Sequence, residues 1–215
     1  MNKEIEAQRD YWNLEADAFQ TIYTHRKSGL SNLLDRVFRK DMYGRFAFTI
    51  NHCEPIEGRI FLDVGCGNGL YSTELAKKGA AKVVGLDIAE VMINLSRAAA
   101  QSAGVEAQCS FIQTDLLNYT PDTSFDVSIG IGLFDYIRDP LPVLKKMREL
   151  TGDRIIVAFP RYWTWRAPVR KLRLSLRGCD VFFYTKSRVK ALLKEAGFQT
   201  CEVTRVGKLH CVIGR

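Results

Sequence analysis

Two rhythms of apolar and polar positions alternate along the chain. Short apolar runs at Ile60–Val64, Ala81–Leu86, Cys109–Thr114, Phe125–Gly132 and Asp153–Phe159 predict strands. Between them, Leu70–Lys78, Val91–Ser102 and Leu141–Leu150 carry apolar residues three and four apart, the period of a helix with one buried face. Strands alternating with helices in this way predict an α/β domain, a parallel sheet with helices on both faces. Val189–Ala196 predicts a further helix stopped by Gly197. Thr200–Arg205 and Leu209–Ile213 have only Val206–Lys208 between them, which predicts a terminal antiparallel hairpin. Ahead of the first strand, residues 3–24 and a segment from about Leu30 to Ile50 both show helical spacing, and His52-Cys53-Glu54-Pro55 is expected to break the second helix. On that expectation His52 falls in a loop.

The junction Phe61-Leu62-Asp63-Val64-Gly65-Cys66-Gly67-Asn68-Gly69 carries the most chemistry. Three glycines at alternate positions allow positive φ and leave bare backbone against which a ligand can lie. The helix that follows points its free N–H groups and positive end at the turn, which suits a carboxylate or a phosphate. A dinucleotide turn would read G-x-G-x-x-G. Here Leu70 stands where its third glycine would fall, and Asp63 precedes the first glycine by two residues.

With that motif the chain resembles the class I S-adenosylmethionine-dependent methyltransferases, whose first motif is D/E-x-G-x-G-x-G. The resemblance covers about residues 57–215 and implies a Rossmann-like, doubly wound, seven-stranded sheet with the terminal hairpin reversed. It implies S-adenosylmethionine as cofactor, held by Asp63, Gly65, Cys66, Gly67, Gly69, Asp87, Ile88, Met92, Asp115, Leu116 and Gly132. In that scheme Asp63 serves the amino group, Asp87 at the end of the second strand takes the ribose hydroxyls, and Asp115 takes the adenine amine. Asp87 has an alternative role in capping the next helix, and Asp115 an alternative role in a turn.

Phe134-Asp135-Tyr136 follows the fourth strand, at the carboxyl end where open α/β sheets bind ligands. Nucleic-acid amino methyltransferases of the resembled superfamily often carry [DN]-P-P-[FYW] there, and the absence of an adjacent proline disfavours that activity. Asp135 and Tyr136 are the candidate catalytic groups, with His25 and His210 as weaker alternatives. His210 lies in a predicted strand and suits a core or hairpin role. Residues 1–56 are expected to form an N-terminal helical cap, and the substrate-binding candidates are Tyr11, Tyr23, Phe134, Arg161, Trp163 and Arg166.

Charge sharpens the picture in one segment. Over residues 161–188, eight basic residues face Asp180 alone, a net of +7 that equals the net charge of the whole chain. Tyr162, Trp163, Trp165, Phe182, Phe183 and Tyr184 are interleaved with them, and Val169, Leu172 and Leu176 fall at helical spacing. Such a segment can draw in a small anionic substrate, rest on an anionic membrane, bind nucleic acid, or simply be solvated. A small anionic or amphipathic acceptor ranks first, because no dedicated RNA-binding module or long basic tail is present. Methyltransferases of pigment and quinone pathways, magnesium-protoporphyrin methyltransferases among them, are broadly similar. The alternatives are an NAD-dependent oxidoreductase, opposed by the glycine spacing, and a non-catalytic binding protein of the same fold.

The six cysteines form no C-x-x-C pair and show no metal-ligand spacing with the three histidines. The N-terminus has no signal-like apolar region, and no apolar run approaches the about 20 residues that span a bilayer. A cytoplasmic protein with reduced thiols is expected.

Overall fold

The computed structural model describes residues 5–14, 32–162 and 180–215, and of residues 32–41 the backbone only. Helix α1 covers residues 5–14 and α2 Asn32–Cys53. The alternating core follows: β1 (Ile60–Val64), α3 (Leu70–Lys77), β2 (Lys82–Asp87), α4 (Glu90–Ser102), β3 (Cys109–Gln113), β4 (Phe125–Gly130), α5 (Leu141–Leu150) and β5 (Thr151–Pro160). Helix α6 (Lys186–Glu195) and strands β6 (Cys201–Val206) and β7 (Leu209–Gly214) complete the order. The sheet has seven strands in the order β3-β2-β1-β4-β5-β7-β6. Strands β1 to β5 run parallel, and β7 is antiparallel to both β5 and β6. The fold is therefore the doubly wound, Rossmann-like sheet with a terminal hairpin that the sequence predicts.

Strand alternation sorts the core into two layers. Leu62 and Val64 face α5 and α6, where Leu144, Met147, Val189 and Leu192 pack with them. Phe61 faces α2, α3 and α4, meeting Ile50, Leu75 and Ile93. Alternation puts Asp63 on this second side, and Asp63 is buried there at 1% exposure. A carboxylate among apolar residues costs several kcal/mol unless it is hydrogen-bonded or meets a cation. Its position therefore calls for a function.

The element ends differ from expectation where a local bond decides them. Helix α2 continues through Cys53 and stops only before Pro55, so His52 lies in its last turn. There the His52 ring bonds through Nδ1 to the Phe48 carbonyl at 2.7 Å. Strand β4 stops at Gly130, because Gly132 has φ +86 and no strand continues through a left-handed residue. Strand β5 extends to Pro160 because β7 pairs with it that far, Pro160 opposite Leu209. Helix α6 starts three residues earlier than Val189, since the Thr185 hydroxyl accepts from the Arg188 N–H at 3.2 Å and caps it.

Candidate functional site

In this strand order the chain winds outward in both directions from β1 and β4. A crevice opens at that switch point, outside the carboxyl ends of the strands. The glycine turn forms one wall. The N–H groups of Gly65 and Cys66 both donate to the Leu86 carbonyl, at 2.8 and 2.9 Å, tying the turn to the end of β2. Gly69 has φ +76, and a Cβ there would lie 2.9 Å from the Cα of Ser96 on α4. Only glycine lets the turn and α4 approach so closely.

Two carboxylates stand at this wall. Asp63 accepts the Ser72 hydroxyl at 2.7 Å from α3. Burial raises its pKa to about 7, with a further push from the charge of Asp87 and opposition from Ser72. Asp87, at the end of the adjacent strand, accepts the N–H of Gly67 at 3.0 Å and of Ala89 at 2.9 Å. Burial outweighs those backbone bonds and raises it to about 6. Helix α4 is capped by Ala89 without a side-chain bond, so Asp87 is not its N-cap residue. Asp115, beyond β3, caps the single turn Leu116–Asn118 by accepting from the Leu117 N–H at 3.2 Å. The sheet order thus sets Asp63 and Asp87 on adjacent strands, with Asp115 two residues beyond the end of the next strand, along the carboxyl edge of the sheet.

Other expected cofactor contacts surround these. Cys66 is buried with its thiol 3.7 Å from the Ser96 hydroxyl, and burial, then the charges of Asp63 and Asp87, push that thiol well above its ordinary pKa. It is held as a neutral thiol. Ile88 accepts from the Gln113 side chain at 3.2 Å, Leu116 is buried, and Met92 packs on Ala89. Ser96 escaped the sequence reading. Its hydroxyl donates to the Gly67 carbonyl at 2.7 Å, so both backbone polar groups of Gly67 are held, the N–H by Asp87 and the carbonyl by Ser96.

Across the crevice, Gly132 ends the β4 wall. Arg45 on α2 reaches toward it: a Cβ on Gly132 would lie 3.9 Å from Arg45 Nη1. The sequence signal for Arg45 was hidden among neighbouring Arg36, Arg39 and Lys40. Gly44 beside it brings the helix against the terminal hairpin, since a Cβ there would meet Val206 at 3.1 Å.

Phe134 needs correction as a substrate contact. It is fully buried and stacks on Phe159 with ring centroids 4.5 Å apart, so it belongs to the core under the crevice. Asp135 is buried beside it, its carbonyl accepting the Phe182 N–H at 2.8 Å. Tyr136 is half-buried and is met by α1: Gln8 Nε2 donates to its carbonyl at 2.6 Å, and the Trp12 ring lies edge-on to the Tyr136 ring at 5.1 Å. Trp12 also packs on Ala89 and Met92. Helix α1 therefore spans both walls, with Tyr11 beside Trp12 at 5.3 Å. Arg161 turns away to the hairpin, donating to the Gly207 carbonyl at 3.1 Å. His210 is buried in β7 and paired opposite Phe159. Tyr23, His25, Trp163 and Arg166 lie outside the described residues.

A family model described as a methyltransferase domain matches residues 57–197. The ubiquinone biosynthesis O-methyltransferase of Idiomarina loihiensis is 37% identical over 103 residues, which are 47% of this chain and 41% of that protein. The tRNA U34 carboxymethyltransferase of Shewanella halifaxensis is 27% identical over 168 residues, 68% of this chain and 50% of that protein. The chain thus spans half or less of the length of these curated relatives. Among solved structures, magnesium protoporphyrin IX methyltransferase from Synechocystis with bound SAH superposes with a TM-score of 0.78. That pair is 21% identical and covers 98% of both chains, a likeness of fold.

Proposed function

The chain belongs to the methyltransferase-domain family, and from that premise we propose that it moves a methyl group from S-adenosylmethionine to a small anionic or amphipathic acceptor. The observation that carries this reading is the set of Asp63 on β1, Asp87 at the end of β2 and Asp115 just beyond β3, beside the glycine turn. A buried carboxylate, a second one at the end of the next strand and a third beyond it suit an amino-acid-bearing nucleoside. Asp63 would hold its ammonium, Asp87 its ribose hydroxyls and Asp115 its adenine amine. Arg45, opposite at Gly132, suits its carboxylate. Gly69 lets the turn close onto α4, and Gly132, at φ +86 with only Arg45 within 4 Å of a Cβ there, leaves open backbone beside the crevice.

The cofactor supplies an activated methyl on a sulfonium. The chain's own residues supply position, since holding the acceptor atom in line at about 3–3.5 Å from that carbon provides much of the acceleration. Helix α1, across the crevice through Trp12 and Gln8, excludes water and narrows the approach. Residues 1–56 act as a cap on this reading. Asp135 and Tyr136, beyond β4, would be the catalytic groups on this reading, Asp135 taking a proton from a hydroxyl or ammonium acceptor. A carboxylate acceptor needs no such base.

Titration calorimetry with S-adenosylmethionine, S-adenosylhomocysteine and NAD tests the assignment. Binding of the first two without NAD is the expected result, and binding of NAD alone overturns it. A labelled-methyl screen of cell extract then identifies the acceptor.

A further inference from the structure

Five basic side chains gather where β5 leaves the sheet, on the same carboxyl edge as the crevice and displaced toward the terminal hairpin. Phe159 lies opposite His210, and His210 opposite Arg205, so these side chains share one sheet face. Arg161, two residues beyond Phe159, returns to that face, held by its N–H to the Lys208 carbonyl at 3.0 Å. Lys186 and Arg188 occupy the first turn of α6, where the positive end of the helix already lies and no acidic residue offsets it.

Burial lowers the His210 pKa, and the charges of Arg161, Lys186 and Arg205 lower it further against a backbone hydrogen bond with Tyr184. Among the described residues, Lys186, Arg188 and Arg205 form no ion pair. Acids elsewhere are engaged, Asp180 with Arg138 at 3.4 Å and Glu202 with Arg215 at 3.1 Å. Like charge collected at a helix N-terminus destabilises the empty surface, and an anion relieves it.

The sequence that leaves and returns to this surface selects among anionic partners. Its two ends are stitched together, the Tyr162 N–H donating to the Tyr184 carbonyl at 3.0 Å. Tyr162 is 55% exposed there. Between them the chain reads Trp163 and Trp165, then Val169, Leu172 and Leu176 among Arg166, Arg170, Lys171, Arg173 and Arg177. Nucleic acid would use the cations and aromatic rings but leaves the apolar residues without a role. A bilayer uses all three, with headgroups for the cations, the interface for the aromatics and acyl chains for the apolar residues.

We propose that the surface formed by Arg161, Lys186, Arg188, Arg205 and Lys208 docks this protein on a bilayer rich in anionic headgroups. Docking there sets the mouth of the crevice beside the lipid. The proposal does not depend on the methyl-transfer assignment.

Vesicle flotation tests it, with phosphatidylcholine alone, phosphatidylcholine mixed with phosphatidylglycerol, and a single-stranded RNA oligonucleotide as the competing ligand. The expected result is binding to the anionic vesicles that salt suppresses, with little on neutral ones. Each cation at an anionic leaflet is worth about fivefold in partition, so Lys186→Gln with Arg205→Gln should weaken it about 25-fold. Unchanged melting and S-adenosylhomocysteine binding in that variant would exclude misfolding. Equal binding to both vesicle types, wild-type partition by the variant, or tighter binding of the RNA than of the vesicles would each overturn the proposal.

Discussion

The indole of Trp12 stands edge-on to the ring of Tyr136, centroids 5.1 Å apart and planes at 87°. This pair joins a helix that precedes the whole sheet to the loop at the end of β4. The same indole packs on Ala89 and Met92 beside β2, so one side chain ties both walls of the crevice. Aromatic pairs contribute about 0.5–1.5 kcal/mol beyond their buried area. Trp12→Ala should therefore weaken S-adenosylhomocysteine binding by about tenfold, chiefly through faster dissociation, with Trp12→Phe in between. Stopped-flow displacement measures it. A dissociation rate equal to wild type would remove α1 from the site.

Asp63 and Asp87, raised to about 7 and about 6 by burial, give the empty protein a defined pH response. An acid whose pKa is higher folded than unfolded holds its proton more tightly in the folded state. Its favourable contribution is complete below about pH 4 and is lost as pH rises through about 6 for Asp87 and 7 for Asp63. The melting temperature of the empty protein should fall over that window. A ligand that needs both carboxylates ionised runs the other way. S-adenosylhomocysteine affinity should drop at least about tenfold from about pH 8 to about pH 5.5, with proton release on binding between those values. Calorimetry in buffers of different ionisation enthalpy reads the protons directly. A pH-independent affinity with no proton release would mean that neither carboxylate meets the ligand.

A change at Arg45 distinguishes the two halves of the proposed cofactor. Arg45→Gln should weaken S-adenosylhomocysteine about 10-fold to 100-fold, since a charge-assisted bond is worth about 1.5–3 kcal/mol. It should leave 5′-methylthioadenosine, which lacks the amino-acid part, unaffected. An equal loss for both ligands would point instead to displacement of α2.

Ser96 braces the glycine turn from behind. Ser96→Ala removes the donor to the half-buried Gly67 carbonyl, and an acceptor left without a partner there costs about 1 kcal/mol or somewhat more. Cofactor affinity should fall about tenfold in consequence. Gly69→Ala should do far more harm, because its Cβ would sit 2.9 Å from the Ser96 Cα at a φ of +76. Binding and melting curves for the two variants give the comparison. A Gly69→Ala protein with wild-type affinity would show that the turn is not a ligand wall.

Much of this molecule is legible in the sequence because its signals are local. Strand β1 and helix α5 have the predicted ends, since a short apolar run before three glycines and an amphipathic stretch after Pro140 each decide their own conformation. Element ends set by a partner are less legible. The length of β5 is fixed by β7, more than forty positions later, and β4 stops where Gly132 turns left-handed. Among site residues, the acid before the glycines and the acid ending β2 announce themselves by position. Phe134 does not, because an aromatic in the loop after β4 reads alike whether it lines the crevice or fills the core beneath it.

By itself, then, the sequence determined the alternating elements, the hairpin, the glycine turn and the acids that follow strands. Each depends on residue spacing along one strand, helix or turn. Only the tertiary structure decided that Arg45 reaches Gly132, that Ser96 holds Gly67, and that Trp12 bridges Tyr136 and Met92. Those pairs lie far apart in the chain, and a contact between distant residues arises from how helices pack on the sheet, which no local pattern encodes.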